Sequence, residues 1–266
     1  DRSNFYYFIF MNLETCTFQN FLDGQILLLN KPIGWSSFDV VKKIRNLILK
    51  RYNQNKIKIG HAGTLDPLAS GLLLICTGKY TKKITELQKK PKTYTGSLTL
   101  GATTPSYDLE TKIDSTYSIS HINKKTIELA RLNFIGEIKQ KPPIFSALKK
   151  GGERLYKKAR RGENVELKNR IVTVYDFKIL NANMPTIDFE ITCSKGTYIR
   201  SIAHDFGRTL KSGAYLSKLS RTSIGEYNLK KSCSVNSFEK HPTFITIDQI
   251  FALVLQRIIS ISLAKL

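Results

Sequence analysis

The chain has 266 residues, 41% of them apolar, enough to fill the core of one large domain with at most a small appendage. Its 42 Lys plus Arg against 21 Asp plus Glu leave a formal charge of +21 at pH 7, which attracts polyanions at long range. Four scattered cysteines, Cys16, Cys76, Cys193 and Cys233, form no C-x-x-C pair, which excludes a zinc knuckle or a disulfide framework and fits a reducing cytoplasm, and no stretch is long and apolar enough to span a membrane.

In chain order, residues 1–23 read as an extension, with Met11 as the initiator and Asp1 to Phe10 dispensable. Arg2 is the only basic residue before Lys31, beside acidic Glu14 and Asp23, unlike an Arg-rich, acid-poor transit peptide. The apolar run Gln25-Ile-Leu-Leu-Leu-Asn30 has the length of a buried strand. Lys31-Pro-Ile-Gly-Trp35 turns the chain, and Ser36 or Ser37 caps a helix whose Val40, Val41, Ile44, Leu47 and Ile48 recur on one face. Then comes Gly60-His-Ala-Gly-Thr-Leu-Asp-Pro-Leu-Ala-Ser-Gly71. An Asp before Pro leaves the helical region and flanking glycines allow turns closed to other residues, so Asp66 is presented on a loop rather than packed.

Gly71 to Cys76 reads as a buried strand, Lys79 to Lys92 carries six lysines, and Tyr94 to Leu100 alternates as a strand that Gly101 ends. Cys76 and Cys193 sit in apolar surroundings as core fillers. A helix is expected over Lys124 to Asn133. Lys141-Pro-Pro-Ile-Phe-Ser-Ala-Leu-Lys149 then leads into a basic arm in which Lys149, Lys150, Arg154, Lys157, Lys158, Arg160 and Arg161 fall within thirteen residues, broken by paired glycines and one aromatic. Strands are expected at Ile171 to Leu180 and Ile187 to Cys193, followed by a helix from Ile199 to Leu210 that buries Ile202, Ala203, Phe206 and Leu210 and stops at Gly213.

Seven of these stretches, in order, resemble the TruB family of tRNA pseudouridine synthases. The catalytic motif G-H-x-G-x-L-D-P stands at Gly60 to Pro67, and C-S-x-G-T-Y-I-R at Cys193 to Arg200. The K-P-x-G-x-[ST]-S opening, K-x-Y at Lys92 to Tyr94, T-x-[TS]-x-D ending at Asp108, the P-P-x-[YF]-S-A-x-K arm and L-x-R-[TL] at Leu219 to Thr222 accompany them. Pro105 and Tyr107 occupy variable slots, and Thr111 stands where many members have Gly. The resemblance covers roughly Gly24 to Phe251. It implies an α+β pseudouridine synthase fold: a mixed, mainly antiparallel sheet flanked by helices and loops, with a basic thumb-like insertion.

The resemblance also implies roles. Asp66 is the catalyst, Arg200 pairs with it, and Tyr94 and Tyr198 lie against the target base. Leu219 lines the apolar pocket, His61 fills the gap left by the flipped base, Lys31 and Asp108 contact substrate, and Arg221 faces RNA phosphate. The glycine of the second motif, Gly196, permits close approach. Lys149, Arg154, Lys157, Lys158, Arg160 and Arg161 belong to a clamp on the T arm of tRNA. The implied reaction is isomerisation of uridine to pseudouridine at position 55, with no metal or organic cofactor and no obligatory protein partner, in a cytoplasmic monomer. The same scaffold without catalysis would be a tRNA-binding or tRNA-folding protein, but that reading expects Asp66, Arg200 or Tyr94 to be replaced, and all three are present. The expected layout is an extension over 1–23, a catalytic domain over 24–237 with its insertion at 141–168, and a short tail over 238–266 too small for a complete PUA domain.

Overall fold

The computed structural model describes residues 17–163 and 165–240. The expectations for the extension before Thr17, for Cys16 and for the tail beyond Lys240 lie outside the described residues. In chain order the elements are α1 (Phe18–Asp23), β1 (Ile26–Lys31), α2 (Ser37–Arg51), β2 (Ile59–His61), β3 (Ser70–Thr77), α3 (Ile84–Lys89), β4 (Lys92–Leu100), β5 (Ala102–Thr103) and β6 (Ser115–Thr116). They continue with α4 (Lys124–Leu132), β7 (Gly136–Gln140), β8 (Lys149–Lys150), β9 (Glu153–Arg154), α5 (Leu155–Arg160), β10 (Arg170–Asn183) and β11 (Thr186–Cys193). The last are α6 (Ile199–Thr209), β12 (Ala214–Ile224), β13 (Tyr227–Asn228), β14 (Cys233–Ser234) and α7 (Val235–Lys240). They fall into two compact units, residues 17–88 with 226–240, and residues 89–225.

The first unit is built on β1, which pairs antiparallel with β3 and parallel with β14, while β2 pairs antiparallel with β3. Ser36 settles the start of α2: its hydroxyl accepts from the Asp39 amide, and the Asp39 carboxylate accepts from the Ser36 amide in return. The apolar stripe of α2, Val40, Val41, Ile44 and Ile48, packs on Leu27, Leu29, Leu73 and Ile75, with Phe21, Val235 and Phe238 closing the cluster. Burying that stripe is what makes a helix of moderate propensity stable here.

The second unit is an antiparallel sheet in the order β12-β4-β11-β10-β7. Its alternating strands bury Phe177, Phe189, Ile187 and Ile191, and α6 packs Ile202, Ala203 and Phe206 beneath them. Phe134, Phe177, Phe189 and Phe206 meet in edge-to-face and tilted pairs with ring centroids 5.7 to 6.4 Å apart. The expected stop of α6 shifts: Leu210 caps the helix and Lys211, at φ +53°, turns the chain. Gly213 does other work, since a Cβ there would lie 2.6 Å from the Tyr117 ring.

Candidate active site

In the first unit the chain between β2 and β3 is a loop with no helix, and Asp66 is half-exposed on it. Gly63 at φ +119° in the loop and Gly71 at φ +106° at the start of β3 flank it in a conformation that side chains other than glycine rarely adopt. Hydrogen bonds then bolt the loop to the start of α2. The Ser37 hydroxyl donates to the Leu65 carbonyl at 3.1 Å and accepts from the Leu65 amide at 2.8 Å. The Gly34 amide donates to the Pro67 carbonyl at 2.8 Å, and the Ala69 amide closes a turn on the Asp66 carbonyl at 3.1 Å. Of the two serines expected to cap the helix, Ser36 caps and Ser37 turns inward to hold the loop.

Lys31, expected at the substrate, is 0% exposed. Its ammonium donates to the carbonyls of Trp35 at 2.6 Å, Pro32 at 3.0 Å and Pro67 at 3.4 Å, so it braces the Asp66 loop from beneath. An ammonium has three donors, and burying it is tolerable only when they are met. His61 ends β2 half-buried, five residues before Asp66.

In the second unit Tyr94 lies in the middle of the sheet, its Cα opposite Ile191 on one side and Arg221 on the other, and its side chain is 9% exposed. Arg200 is buried in the first turn of α6. Its Nη1 donates to the Ser106 carbonyl at 3.2 Å and lies 3.4 Å from Asp108 Oδ2, and its Nη2 donates to the Phe145 carbonyl at 3.0 Å. Asp108, expected to meet RNA, is instead buried with its carboxylate directed at Arg200, and its other oxygen accepts from the Glu110 amide at 2.9 Å. The Thr104 and Ser106 hydroxyls both donate to the Asp108 carbonyl, and Tyr107, at φ +64°, stacks on His204 with centroids 3.9 Å apart. Arg200 and His204 are one turn apart on α6, so the Thr104–Asp108 turn grips that helix at both places.

Tyr198 caps α6 and is held on both sides of its peptide by Gln140, whose Oε1 accepts from the Tyr198 amide at 2.8 Å and whose Nε2 donates to the Tyr198 carbonyl at 3.1 Å. The Arg170 guanidinium lies 4.4 Å from the centroid of the Tyr198 ring. Gly196 takes a φ of +88°, which side chains rarely adopt, and the nearest protein atom to a Cβ placed there is Arg170 Nη1 at 3.7 Å. Leu219 is half-buried opposite Gly96. Arg221, expected to face phosphate, is 1% exposed. Burial and the charge of Arg221 push the Lys92 amine down to about 8.

The basic arm is a β8–β9 hairpin turned by Gly151 and Gly152, both at positive φ, followed by α5. It is not a bare run of charge. Arg161 is gripped by Glu153 at 2.7 Å and Glu163 at 2.6 Å, Arg160 pairs with Glu110 at 2.8 Å, and Lys158 lies 3.5 Å from Glu163. Those bonds raise the Arg160 and Arg161 pKa values and lower those of Glu153 and Glu163. Lys149, Arg154 and Lys157 are exposed, and among the described residues none has a carboxylate within 4.0 Å.

Sequence reasoning missed Ser37 as the loop bolt, Gln140 and Arg170 at Tyr198, and His204 at Tyr107. Only Gln140 carried a hint, as the residue directly before the Lys141-Pro-Pro segment. Among the described residues no cluster of three or more His, Cys, Asp or Glu side chains forms a metal site, and no helix is long and apolar enough to cross a membrane. Burial pushes the Cys76 and Cys193 thiols up to about 11, so they act as small apolar fillers.

Helices on a mixed, mainly antiparallel sheet are the architecture of the pseudouridine synthase fold. The description "TruB family pseudouridylate synthase (N terminal domain)" matches residues 50–199. The chain is 54% identical over 223 residues to tRNA pseudouridine synthase B of Flavobacterium johnsoniae, covering 84% of this chain and 97% of that one. It is 51% identical over 219 residues to the enzyme of that name from Phocaeicola vulgatus, covering 82% and 93%. In structure it resembles the crystal structure of a Cbf5-Nop10-Gar1 complex at a TM-score of 0.62 and 26% identity, covering 88% of this chain and 60% of that chain. This chain therefore belongs to the TruB family.

Proposed function

We propose that this protein isomerises uridine to pseudouridine in tRNA, at position 55 of the T loop. The observation that carries the reading is the 54% identity to a tRNA pseudouridine synthase B over 97% of that relative's length, with Asp66 displayed on its braced loop. A base stacked inside RNA cannot turn over, so the target nucleotide is first flipped out. The glycosidic bond from C1′ to N1 then breaks, the base rotates, and C5 bonds to C1′. C5 loses its proton and N1 gains one, so the product is an isomer and no co-reactant is consumed.

Asp66 serves this sequence either by bonding to C1′ as N1 leaves or by taking the C2′ proton, and both roles need an ionised carboxylate. Arg200 orients it, Tyr94 and Tyr198 stack on the base, Leu219 forms the apolar wall and His61 fills the space left in the loop. Lys31 and Asp108 act one step back: Lys31 supports the Asp66 loop and Asp108 fixes Arg200. The T arm is gripped by the arm at residues 141–168, through Lys149, Arg154 and Lys157 first. The protein acts as a monomer without an obligatory partner.

The test is Asp66→Asn, nearly isosteric yet neither nucleophile nor base. It should bind tRNA as the wild type does and form no pseudouridine. Turnover within about tenfold of wild type, roughly 1.4 kcal/mol of barrier, would remove Asp66 from the chemistry.

A further inference from the structure

Among the described residues of the first unit, the large apolar side chains left exposed are Ile33, Phe38 and Leu68, at 66%, 61% and 40%. Singly, such residues are ordinary on any surface. These three are not scattered: Ile33 and Phe38 lie on the segment 33–38 and Leu68 on the loop 65–69, the two segments joined by the Ser37–Leu65 and Gly34–Pro67 hydrogen bonds. Phe38 follows the bolting serine and Asp66 follows the bolted leucine, so each lies one residue from the same pair of hydrogen bonds. Every other large apolar side chain of that unit is at least partly buried.

We infer that Ile33, Phe38 and Leu68 form an apolar rim around the Asp66 loop on which unpaired nucleobases of the substrate RNA stack, with Phe38 as the platform. The inference rests on the proposed RNA substrate. The chain's formal charge of +21 favours a polyanion as this occupant over another protein. Lys42 is exposed one turn further along α2, at i+4 from Phe38 and on the same face. A ring for the base beside a cation for the phosphate is how proteins hold single-stranded nucleic acid. Phe38 is also fixed in place, because the capping of α2 by Ser36 and the Ser37–Leu65 bonds set the backbone on either side of it.

The test uses T-arm hairpin RNAs with 2-aminopurine placed in turn at each unpaired position flanking the target uridine, bound to wild type, Phe38→Tyr and Phe38→Leu. Stacking on a ring quenches 2-aminopurine. Wild type and Phe38→Tyr should quench at one position or more, and Phe38→Leu, which keeps an apolar side chain, should lose that quench and bind about 5- to 150-fold more weakly. Equal quenching by all three proteins at every position overturns the rim. So does a change of sedimentation in Phe38→Leu with quenching intact, which would mark the patch as a contact between copies. Pseudouridine formed by wild type on the unlabelled hairpin reports the proposed function separately, so product without Phe38-dependent quenching refutes the rim alone.

Discussion

Arg200 and Asp108 face each other inside the second unit, Nη1 to Oδ2 at 3.4 Å, with both side chains almost fully buried. The guanidinium also reaches the Ser106 and Phe145 carbonyls, so three points fix its plane. Lysine keeps the charge and cannot reproduce the fork. Arg200→Lys should therefore lower the single-turnover rate at saturating enzyme by about 100-fold or more, the scale of a misplacement of about 1 Å, with tRNA affinity within about threefold. An unchanged rate would mean that the position of Arg200 does not matter to the chemistry.

Lys31 makes a second prediction. Lys31→Met fills the space, takes the ammonium donor from the Pro32 and Trp35 carbonyls and leaves the Pro67 carbonyl with the Gly34 amide alone, at about 1–3 kcal/mol of stability in denaturant unfolding. Turnover should fall while tRNA affinity holds, because the Asp66 loop loses its brace. Wild-type stability and rate in Lys31→Met would show that the loop stands without it.

A pH prediction follows from His204. Burial lowers its pKa from 6.5, Arg208 lowers it further and Asp114 opposes. The folded state thus keeps His204 neutral where the unfolded chain takes up a proton. The stability it contributes is lost as pH falls from about 6.5 toward the lower folded value. Asp205 beside it has the opposite sign: burial raises its pKa against Arg208, so its contribution falls as pH rises from 3.8 toward its folded value. His204→Phe keeps a ring on Tyr107 and should show less loss of melting temperature between pH 7 and pH 5 than wild type. Parallel curves would mean that His204 is not held neutral.

The arm predicts a division among its cations. Each phosphate contact changes the slope of log affinity against log salt by roughly 0.7 to 0.9. Replacing Lys149, Arg154 and Lys157 with Ser should flatten the slope by about 2 to 3 units, whereas Lys158, Arg160 and Arg161, already bound to Glu163, Glu110 and Glu153, should contribute less. An equal or larger change from the second group would mean that RNA displaces those glutamates. Identical slopes in all three proteins would show that the RNA is gripped elsewhere.

What could be read from the sequence was what nearest neighbours along the chain decide. The strand at Ile26–Lys31, the stripe of α2, the glycine-framed Asp66 loop and the buried face of α6 all come from local pattern, and each lies within a few residues of its expected place. Side-chain destinations set across the fold left no such trace. Arg200 meets Asp108 across 92 residues, Gln140 meets Tyr198 across 58 and Ser37 meets Leu65 across 28, spacings with no periodicity to detect. The burial of Arg221 and Lys31 left no trace either, because it is decided by what packs around each from elsewhere in the fold. The arm shows its seven cations in the sequence, but which three of them glutamates hold is set by the fold.

Where the product forms on tRNA is the most direct measure of what this protein does. An unmodified tRNA transcript is incubated with the protein and every uridine is mapped for conversion. Pseudouridine at position 55, and none with Asp66→Asn, is the expected result. No pseudouridine with wild type while tight tRNA binding persists would contradict it, and would make this a tRNA-binding protein on a catalytic scaffold.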